Sequence, residues 1–142
     1  MFVNELMTRD VVCAAPRDRV DAAARLLSRR NIGALPVVDG AGRLLGILTD
    51  RDIVLRCVAA AFDPAMTEVR QIMTAQPVSI SPEAEAQEAA ALMAQRQVRR
   101  LPVTESGRLV GMLSVGDLAV RQDHSTEAAA CLSEICENLL RR

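Results

Sequence analysis

The sequence repeats itself once, and this repeat constrains the fold more than any other feature of the chain. When the chain is shifted by 66 residues against itself, identical and similar residues align, and after a one-residue deletion in a turn the alignment continues at a shift of 65. The aligned pairs include Leu6-Met7-Thr8 with Ile72-Met73-Thr74, Leu35-Pro36-Val37 with Leu101-Pro102-Val103, Gly46 with Gly111, Thr49 with Ser114, and Asp52 with Asp117. Matches in the same order with one deletion indicate two copies of one structural unit.

Each copy predicts the same succession of elements, β-α-β-β-α, preceded by a short helix. The predicted strands are Val11–Ala14, Ala34–Val38 and Leu44–Leu48, then Val78–Ile80, Leu101–Val103 and Leu109–Leu113, and the predicted leading helices are Val3–Met7 and Val69–Met73. Ser81 is a suitable N-cap with Pro82 at the first helical position, and the final helices are expected to begin at Thr49 and Ser114. One unit is too small to bury its own sheet, so the predicted fold is α+β with the repeats facing each other.

The repeat also divides the chain into segments. We expect a first motif at residues 3–60, a second at 69–121, and a linker around Pro64. Residues 125–142 are expected to form an additional helix, because apolar residues recur there at helical spacing. These residues are Ala128, Leu132, Ile135 and Leu139.

Composition disfavours several classes of function. The 142 residues include two phenylalanines but no tyrosine or tryptophan, which argues against base stacking on single-stranded nucleic acid. All 17 lysine or arginine positions hold arginine, so the lysine of a Walker loop or a Schiff base is missing. The net charge of −1 offers no field for nucleic acid, and the absence of a visible nucleophile–base pair argues against an enzyme.

The chain has no apolar run near the roughly 18–20 residues that span a bilayer, and residues 1–10 do not resemble a signal peptide. Its four cysteines lack Cys-x-x-Cys spacing, so reduced thiols and a cytoplasmic location are expected. His124 and Cys131 lie two helical turns apart, but Cys136 points elsewhere and no carboxylate cluster completes a set. No metal site is therefore expected, although a thiol or metal sensor remains an alternative.

The strand-to-helix corner of each copy carries the most specific motif, Gly46-Ile47-Leu48-Thr49-Asp50-Arg51-Asp52 and Gly111-Met112-Leu113-Ser114-Val115-Gly116-Asp117. With the Leu-Pro-Val element before each corner, these motifs resemble the CBS-domain family, named after cystathionine beta-synthase, from Val3 to about Arg121. The chain is similar to small stand-alone bacterial CBS-pair proteins, some of them induced by stress or low oxygen. The resemblance implies tandem repeats with pseudo-twofold symmetry that bind an adenosine-containing nucleotide in clefts between the motifs. It also implies a non-catalytic regulatory homodimer that signals to an unidentified target protein.

In this family the corner residues contact the ligand, which assigns ribose and phosphate contacts to Thr49, Asp52, Ser114 and Asp117. The chemistry is suitable, because a helix N-terminus favours phosphate and a carboxylate can accept hydrogen bonds from both ribose hydroxyls. The same Ser/Thr-x-x-Asp spacing is also close to a capping box, which needs no ligand. The two interpretations are compatible, and both stay open.

Arg99 and Arg100 precede the second Leu-Pro-Val element and are the predicted phosphate ligands, whereas the first repeat has Gly33 and Ala34 there. The two clefts should therefore differ in their preference for phosphate. The adenine is expected between apolar side chains and backbone groups at Val12, Val78, Leu35, Pro36, Leu101 and Pro102. The expected ligand is AMP, ADP or ATP ahead of S-adenosylmethionine or NAD, with no cofactor required. A protein-interaction scaffold with vestigial clefts is the main alternative.

Overall fold

A computed structural model describes residues 1–120 of the chain, and the predicted C-terminal helix lies outside them. Helices and strands alternate, and the α+β class predicted from the sequence is confirmed. In chain order the elements are α1 (Val3–Leu6), α2 (Val20–Arg30), β1 (Ala34–Val38), β2 (Leu44–Thr49), α3 (Asp50–Ile53) continued by a π-helix (Val54–Val58), α4 (Val69–Ile72), β3 (Thr74–Ala75), α5 (Ala86–Arg96), β4 (Arg100–Glu105), β5 (Arg108–Ser114) and α6 (Val115–Val120). Within residues 1–120, every helix is too short or too polar to cross a membrane.

One compact unit, called here the first-repeat unit, consists of Val12–Pro77 with Gly107–Leu109. Its sheet has the order β1-β2-β3, and both pairings are antiparallel. The buried side chains of this unit come from the sheet, α2, α4 and the π-helix. They are Ala14, Val20, Ala23, Leu27, Leu35, Val37, Leu48, Cys57, Val69 and Ile72.

The other compact unit, called the second-repeat unit, consists of Met1–Val11, Val78–Ser106 and residues 110–120. Strands β4 and β5 pair with each other. Its buried cluster includes side chains of α1, α5 and α6 on the two strands. They are Val3, Leu6, Ile80, Ala86, Ala89, Ala90, Met93, Leu101, Val103, Leu113, Val115 and Leu118.

The predicted first strand of each repeat is shorter than expected. Instead of strands at Val11–Ala14 and Val78–Ile80, the structure has single parallel bridges, Ala14 to Val37 and Ile80 to Val103. The backbone of Ala14 exchanges hydrogen bonds with Pro36 and Val38 at 2.9 and 3.0 Å, and the pairing stops there. It stops because the chain enters a turn at once, in which the Asp18 carboxylate accepts a hydrogen bond from the Ala15 N–H at 2.8 Å.

The predicted helix start at Ser81 and Pro82 is wrong. Ser81 instead closes a turn: its hydroxyl oxygen accepts from the Glu83 N–H at 3.1 Å, and its carbonyl accepts from the Ala84 N–H at 3.2 Å. Helix α5 begins four residues after Pro82, at Ala86. The Ser-Pro pair is equally suited to a turn, and the backbone of Ala86 donates to Met1 instead, at 2.9 Å.

The segment that leads into each repeat packs with the other repeat. In the second-repeat unit, Phe2 pairs with Glu85 and Thr8 with Met112. In the first-repeat unit, β3 pairs with β2, with Thr74 opposite Ile47. Each corner is thus flanked by a segment that lies far from it in the sequence.

Candidate functional site

The corner of the first-repeat unit is a reciprocal capping box at the start of α3. The Thr49 hydroxyl oxygen accepts a hydrogen bond from the Asp52 N–H at 3.0 Å, and Asp52 Oδ2 accepts one from the Thr49 N–H at 3.0 Å. This arrangement satisfies two backbone donors that the helix itself leaves without partners. The capping interpretation therefore describes how this helix begins.

The second-repeat unit has the same corner at the start of α6. The Ser114 hydroxyl oxygen accepts from the Asp117 N–H at 3.1 Å, and Asp117 Oδ2 accepts from the Ser114 N–H at 2.8 Å. In both boxes the hydroxyl acts as an acceptor and so keeps its proton for donation, and each carboxylate keeps a second oxygen. Capping thus leaves each corner able to donate one hydrogen bond and accept others.

The glycine that opens each corner motif is required by close packing. A Cβ atom on Gly46 would lie 2.6 Å from Met73 Sδ and 2.8 Å from the Thr74 carbonyl oxygen. A Cβ atom on Gly111 would lie 2.7 Å from Met7 Sδ and 2.8 Å from the Thr8 carbonyl oxygen. The Gly-apolar-apolar part of the motif therefore admits the leading segment, whose backbone passes beside the corner.

The Asp52 carboxylate has further contacts that sequence reasoning missed. Its Oδ1 accepts from Thr74 Oγ1 at 3.4 Å and lies 3.9 Å from Nε of Arg56. The guanidinium of Arg56 also donates to the carbonyls of Ile72 and Met73 at 3.2 and 3.1 Å. The spacing of Asp52 and Arg56, four residues apart on a helix, was a signal for their pairing, but Thr74 had no such signal.

Arg99 is placed beside the second corner by its backbone. Its carbonyl accepts from the N–H of Val115, the residue after Ser114, at 3.0 Å. Gly33 makes the equivalent contact with Asp50 at 3.1 Å in the first-repeat unit. The Arg99 side chain is exposed and Arg100 is half-buried. Within residues 1–120, neither guanidinium forms a hydrogen bond or an ion pair.

The apolar candidates fall into two groups. Leu35 and Leu101 are fully buried in the hydrophobic clusters of their units, so their side chains serve the core. Pro36 and Pro102 are buried as well, and their carbonyls accept from Ala14 and Ile80. Val12 and Val78 are half-buried against the same clusters and keep some surface for a ligand.

Each unit also has an open cavity next to its parallel bridge. The cavity of the first-repeat unit has a volume of about 580 Å³ and is lined by Cys13, Ala14, Ala15, Pro16, Arg17, Asp18, Val38, Asp39 and Gly40. The cavity of the second-repeat unit has a volume of about 370 Å³ and is lined by Ser79, Ile80, Ser81, Glu88, Ala91, Leu92 and Gln95. None of the predicted polar ligand residues lines either of these two cavities.

The described cysteines are not arranged as a metal or thiol centre. Cys57 is buried, and its Sγ donates to the Phe62 carbonyl at 3.5 Å. Burial raises the pKa of the Cys13 thiol, which favours the unreactive protonated form. Residues 1–120 contain no cluster of three potential metal ligands, and His124, Cys131 and Cys136 lie outside them.

Solved structures of similar proteins share this fold. Hypoxic Response Protein I, crystallised with two coordinated zinc ions, is 34% identical with a TM-score of 0.79, and the match covers 85% of this chain and 98% of that one. A structure of CBSX2 in complex with AMP is 28% identical with a TM-score of 0.75, covering 84% of this chain and 93% of that one.

Sequence comparison agrees with the structural likeness. The CBS domain-containing protein YhcV of Bacillus subtilis strain 168 is 41% identical over 133 residues, which is 94% of each chain. Such a relative is little longer than the repeat pair itself. The CBS domain matches residues 3–58 and 69–123, the two copies found by the internal alignment. The chain therefore belongs to the CBS-domain family and is a tandem CBS pair.

Proposed function

We propose that this CBS pair is a non-catalytic regulatory module that binds an adenine nucleotide of the AMP, ADP or ATP type. The observation that carries the proposal is the corner of the second-repeat unit. There, a hydroxyl and a carboxylate with spare hydrogen-bonding capacity lie beside the backbone of Arg99, and the guanidinium groups of Arg99 and Arg100 have no partner within residues 1–120. The AMP complex of the similar CBSX2 supports the choice of ligand class.

Each group has a defined role in this proposal. Asp117 accepts hydrogen bonds from the ribose hydroxyls, and Ser114 donates to a ribose or phosphate oxygen. Arg99 or Arg100 neutralises the phosphate, a task for which a planar, permanently charged guanidinium is well suited. The base is held by backbone groups and by the exposed part of Val78, and Val12 has the same role at the first-repeat corner.

The first-repeat corner is a weaker phosphate site in this proposal. Thr49 and Asp52 repeat the hydroxyl and the carboxylate, but Gly33 and Ala34 replace the two arginines. A ligand that binds there relies on the sugar contacts alone. We therefore expect phosphorylated nucleotides to prefer the corner that contains Asp117.

Signalling is the second part of the proposal. A nucleotide that binds one state of the pair more tightly shifts the population towards that state and changes the affinity for a partner by linkage. Five large apolar side chains that are 49–70% exposed support a docking surface for a second copy or for a cytoplasmic target protein. They are Val54, Leu55, Val58, Phe62 and Met66.

Calorimetric titration of the purified protein tests the proposal, with AMP, ADP, ATP, S-adenosylmethionine and NAD as ligands. We expect heat and a melting shift with an adenine nucleotide, with a stabilisation of about 2.7 kcal/mol at a ligand concentration 100-fold above Kd. Asp117→Ala and Arg100→Ala should weaken binding, because they remove the sugar and phosphate partners.

Other outcomes separate the alternatives. No heat with any of the five ligands would favour the scaffold with vestigial clefts. Metal bound to the purified protein, with binding lost on alkylation of its thiols, would favour the metal or thiol sensor. Light scattering of the same preparation measures whether the chain forms a homodimer.

A further inference from the structure

We propose that Thr74 restrains the Asp52 carboxylate and thereby weakens the first-repeat corner as a ribose acceptor, whereas the equivalent Thr8 makes no hydrogen bond to Asp117. This inference rests on the proposed nucleotide binding and adds to it a residue that increases the difference in affinity between the two corners. Thr74 acts through Asp52 and is therefore a positioning residue.

Both oxygens of Asp52 already have partners. Oδ2 accepts from the Thr49 N–H, and Oδ1 accepts from Thr74 Oγ1 at 3.4 Å with Nε of Arg56 3.9 Å away. The Asp52 side chain is 10% exposed. A ribose hydroxyl that approaches Asp52 must therefore compete for an oxygen that is already used, on a side chain with little open surface.

Asp117 differs in both respects. Its Oδ2 accepts from the Ser114 N–H, and among residues 1–120 its Oδ1 has no hydrogen-bond or ion-pair partner. The side chain is half-buried, whereas Asp52 is buried. Arg121, the sequence equivalent of Arg56, lies outside the described residues, so the comparison depends on the two threonines.

The two threonines are equivalent in the sequence and in the backbone pairing. Thr74 lies opposite Ile47 of β2, and Thr8 lies opposite Met112 of β5. Only the Thr74 hydroxyl donates to the carboxylate of its corner; within residues 1–120, Thr8 makes no such side-chain bond. A difference in side-chain position, at the same residue type and the same register, distinguishes the corners.

The expected size of the effect follows from the strength of one hydrogen bond. Removing one typical intramolecular hydrogen bond changes an equilibrium by about two- to tenfold. At 3.4 Å the Thr74 bond is long, so the lower half of that range is expected. Removing the Thr74 hydroxyl should free Asp52 for the sugar by this factor.

The test is a calorimetric titration of the full chain with AMP. The wild type should show two binding events. The single variant Asp117→Ala should lose the tighter event, and the single variant Asp52→Ala should lose the weaker one. Thr74→Val, which keeps the side-chain shape, should tighten the weaker event about two- to fivefold. Thr8→Val is the matched control and should leave both events unchanged. In Asp52→Ala/Thr74→Val the gain should disappear, because Thr74 acts only through Asp52.

Several outcomes would overturn the inference. Weaker AMP binding by Thr74→Val would show that the hydroxyl helps Asp52 to bind the ligand, and unchanged binding would show that it has no effect. An equal gain in affinity in Thr8→Val would show that the two threonines do not differ in their effect on the corners. Thr74→Ala, checked by far-ultraviolet circular dichroism, replaces Thr74→Val if the latter does not fold. Absence of heat with AMP, ADP and ATP in the wild type would reject the proposed function itself, whereas AMP binding that Thr74→Val leaves unchanged would reject the inference alone.

Discussion

At the scale of single residues, the corner motif combines two requirements that look alike in the sequence. Thr49 and Asp52 cap a helix, and their spare hydrogen-bonding groups are what a nucleotide would use. The glycine three residues before Thr49 has a different role, because a Cβ atom there would lie 2.8 Å from the Thr74 carbonyl oxygen of the leading segment. The motif shared by both repeats therefore meets a packing requirement as well as the chemical requirements of a ligand.

This packing predicts how much the free energy of unfolding falls when a methyl group is added to either corner glycine. Gly46→Ala and Gly111→Ala should each lower the free energy of unfolding by about 1–3 kcal/mol, because the new Cβ meets a backbone carbonyl oxygen that cannot move aside easily. Gly40→Ala, whose Cβ would have nothing within 4 Å, is the control and should change stability by less than about 0.5 kcal/mol. Urea unfolding followed by circular dichroism measures all three, and equal stability of Gly46→Ala, Gly111→Ala and the wild type would contradict the argument.

At the scale of elements, α2 and α5 end in the same way although neither is followed by glycine. Asn31 and Gln97 both adopt the left-handed conformation, with φ of 52° and 56°. Asparagine tolerates this region better than glutamine does. Gln97 is stabilised in part by its own amide, which donates to the Ala94 carbonyl at 2.6 Å. The end of α5 is therefore the more strained of the two.

The conformation at Gln97 predicts opposite effects of glycine at neighbouring positions. Gln97→Gly should raise the free energy of unfolding by up to about 1 kcal/mol, because glycine has no penalty at positive φ, less the value of the lost side-chain bond. Arg96→Gly, at the last residue of the helix, should lower the free energy by up to about 1 kcal/mol. Thermal melts by circular dichroism would distinguish the two, and a loss of similar size in both variants would contradict the assignment.

At the scale of the whole molecule, the compact units and the sequence repeats do not contain the same residues. Val3 and Leu6, which begin the first repeat, are buried in the cluster of the second-repeat unit. Val69 and Ile72, which begin the second repeat, are buried in the cluster of the first-repeat unit. Neither repeat supplies a complete core from its own contiguous segment, which explains why the two copies occur together.

Because each leading segment is buried in the unit of the other repeat, a core mutation in that segment should destabilise the other repeat's unit. Leu6→Ala should destabilise the second-repeat unit by about 2–4 kcal/mol, and Ile72→Ala should do the same to the first-repeat unit. Hydrogen exchange followed by mass spectrometry should show faster exchange in α5 and β4 for Leu6→Ala, and in α2 and β1 for Ile72→Ala. Faster exchange of α2 in Leu6→Ala, with α5 unaffected, would contradict the exchanged arrangement.

Much of the site could be predicted from the sequence, because a repeated motif fixes local geometry twice. The helix starts after Thr49 and Ser114 and the strand at Ala34–Val38 were predicted and are confirmed. The predicted strands at Val11–Ala14 and Val78–Ile80 are reduced to single bridges. The predicted helix start at Ser81 was wrong, since a Ser-Pro pair can begin either a helix or a turn and contacts with Met1 favour the turn. Ligand contacts at the corners stay predictions.

The sequence by itself determined the family, the repeat and the position of each capping box, because these depend on short-range spacing that both copies share. Only the tertiary structure decided which leading segment lies beside which corner, why glycine is needed there, and that Thr74 reaches Asp52 whereas Thr8 does not reach Asp117. Thr8 and Thr74 are identical in the sequence alignment. What separates them is the position of one side chain beside the carboxylate of its corner, and no local pattern specifies a contact between residues 22 positions apart.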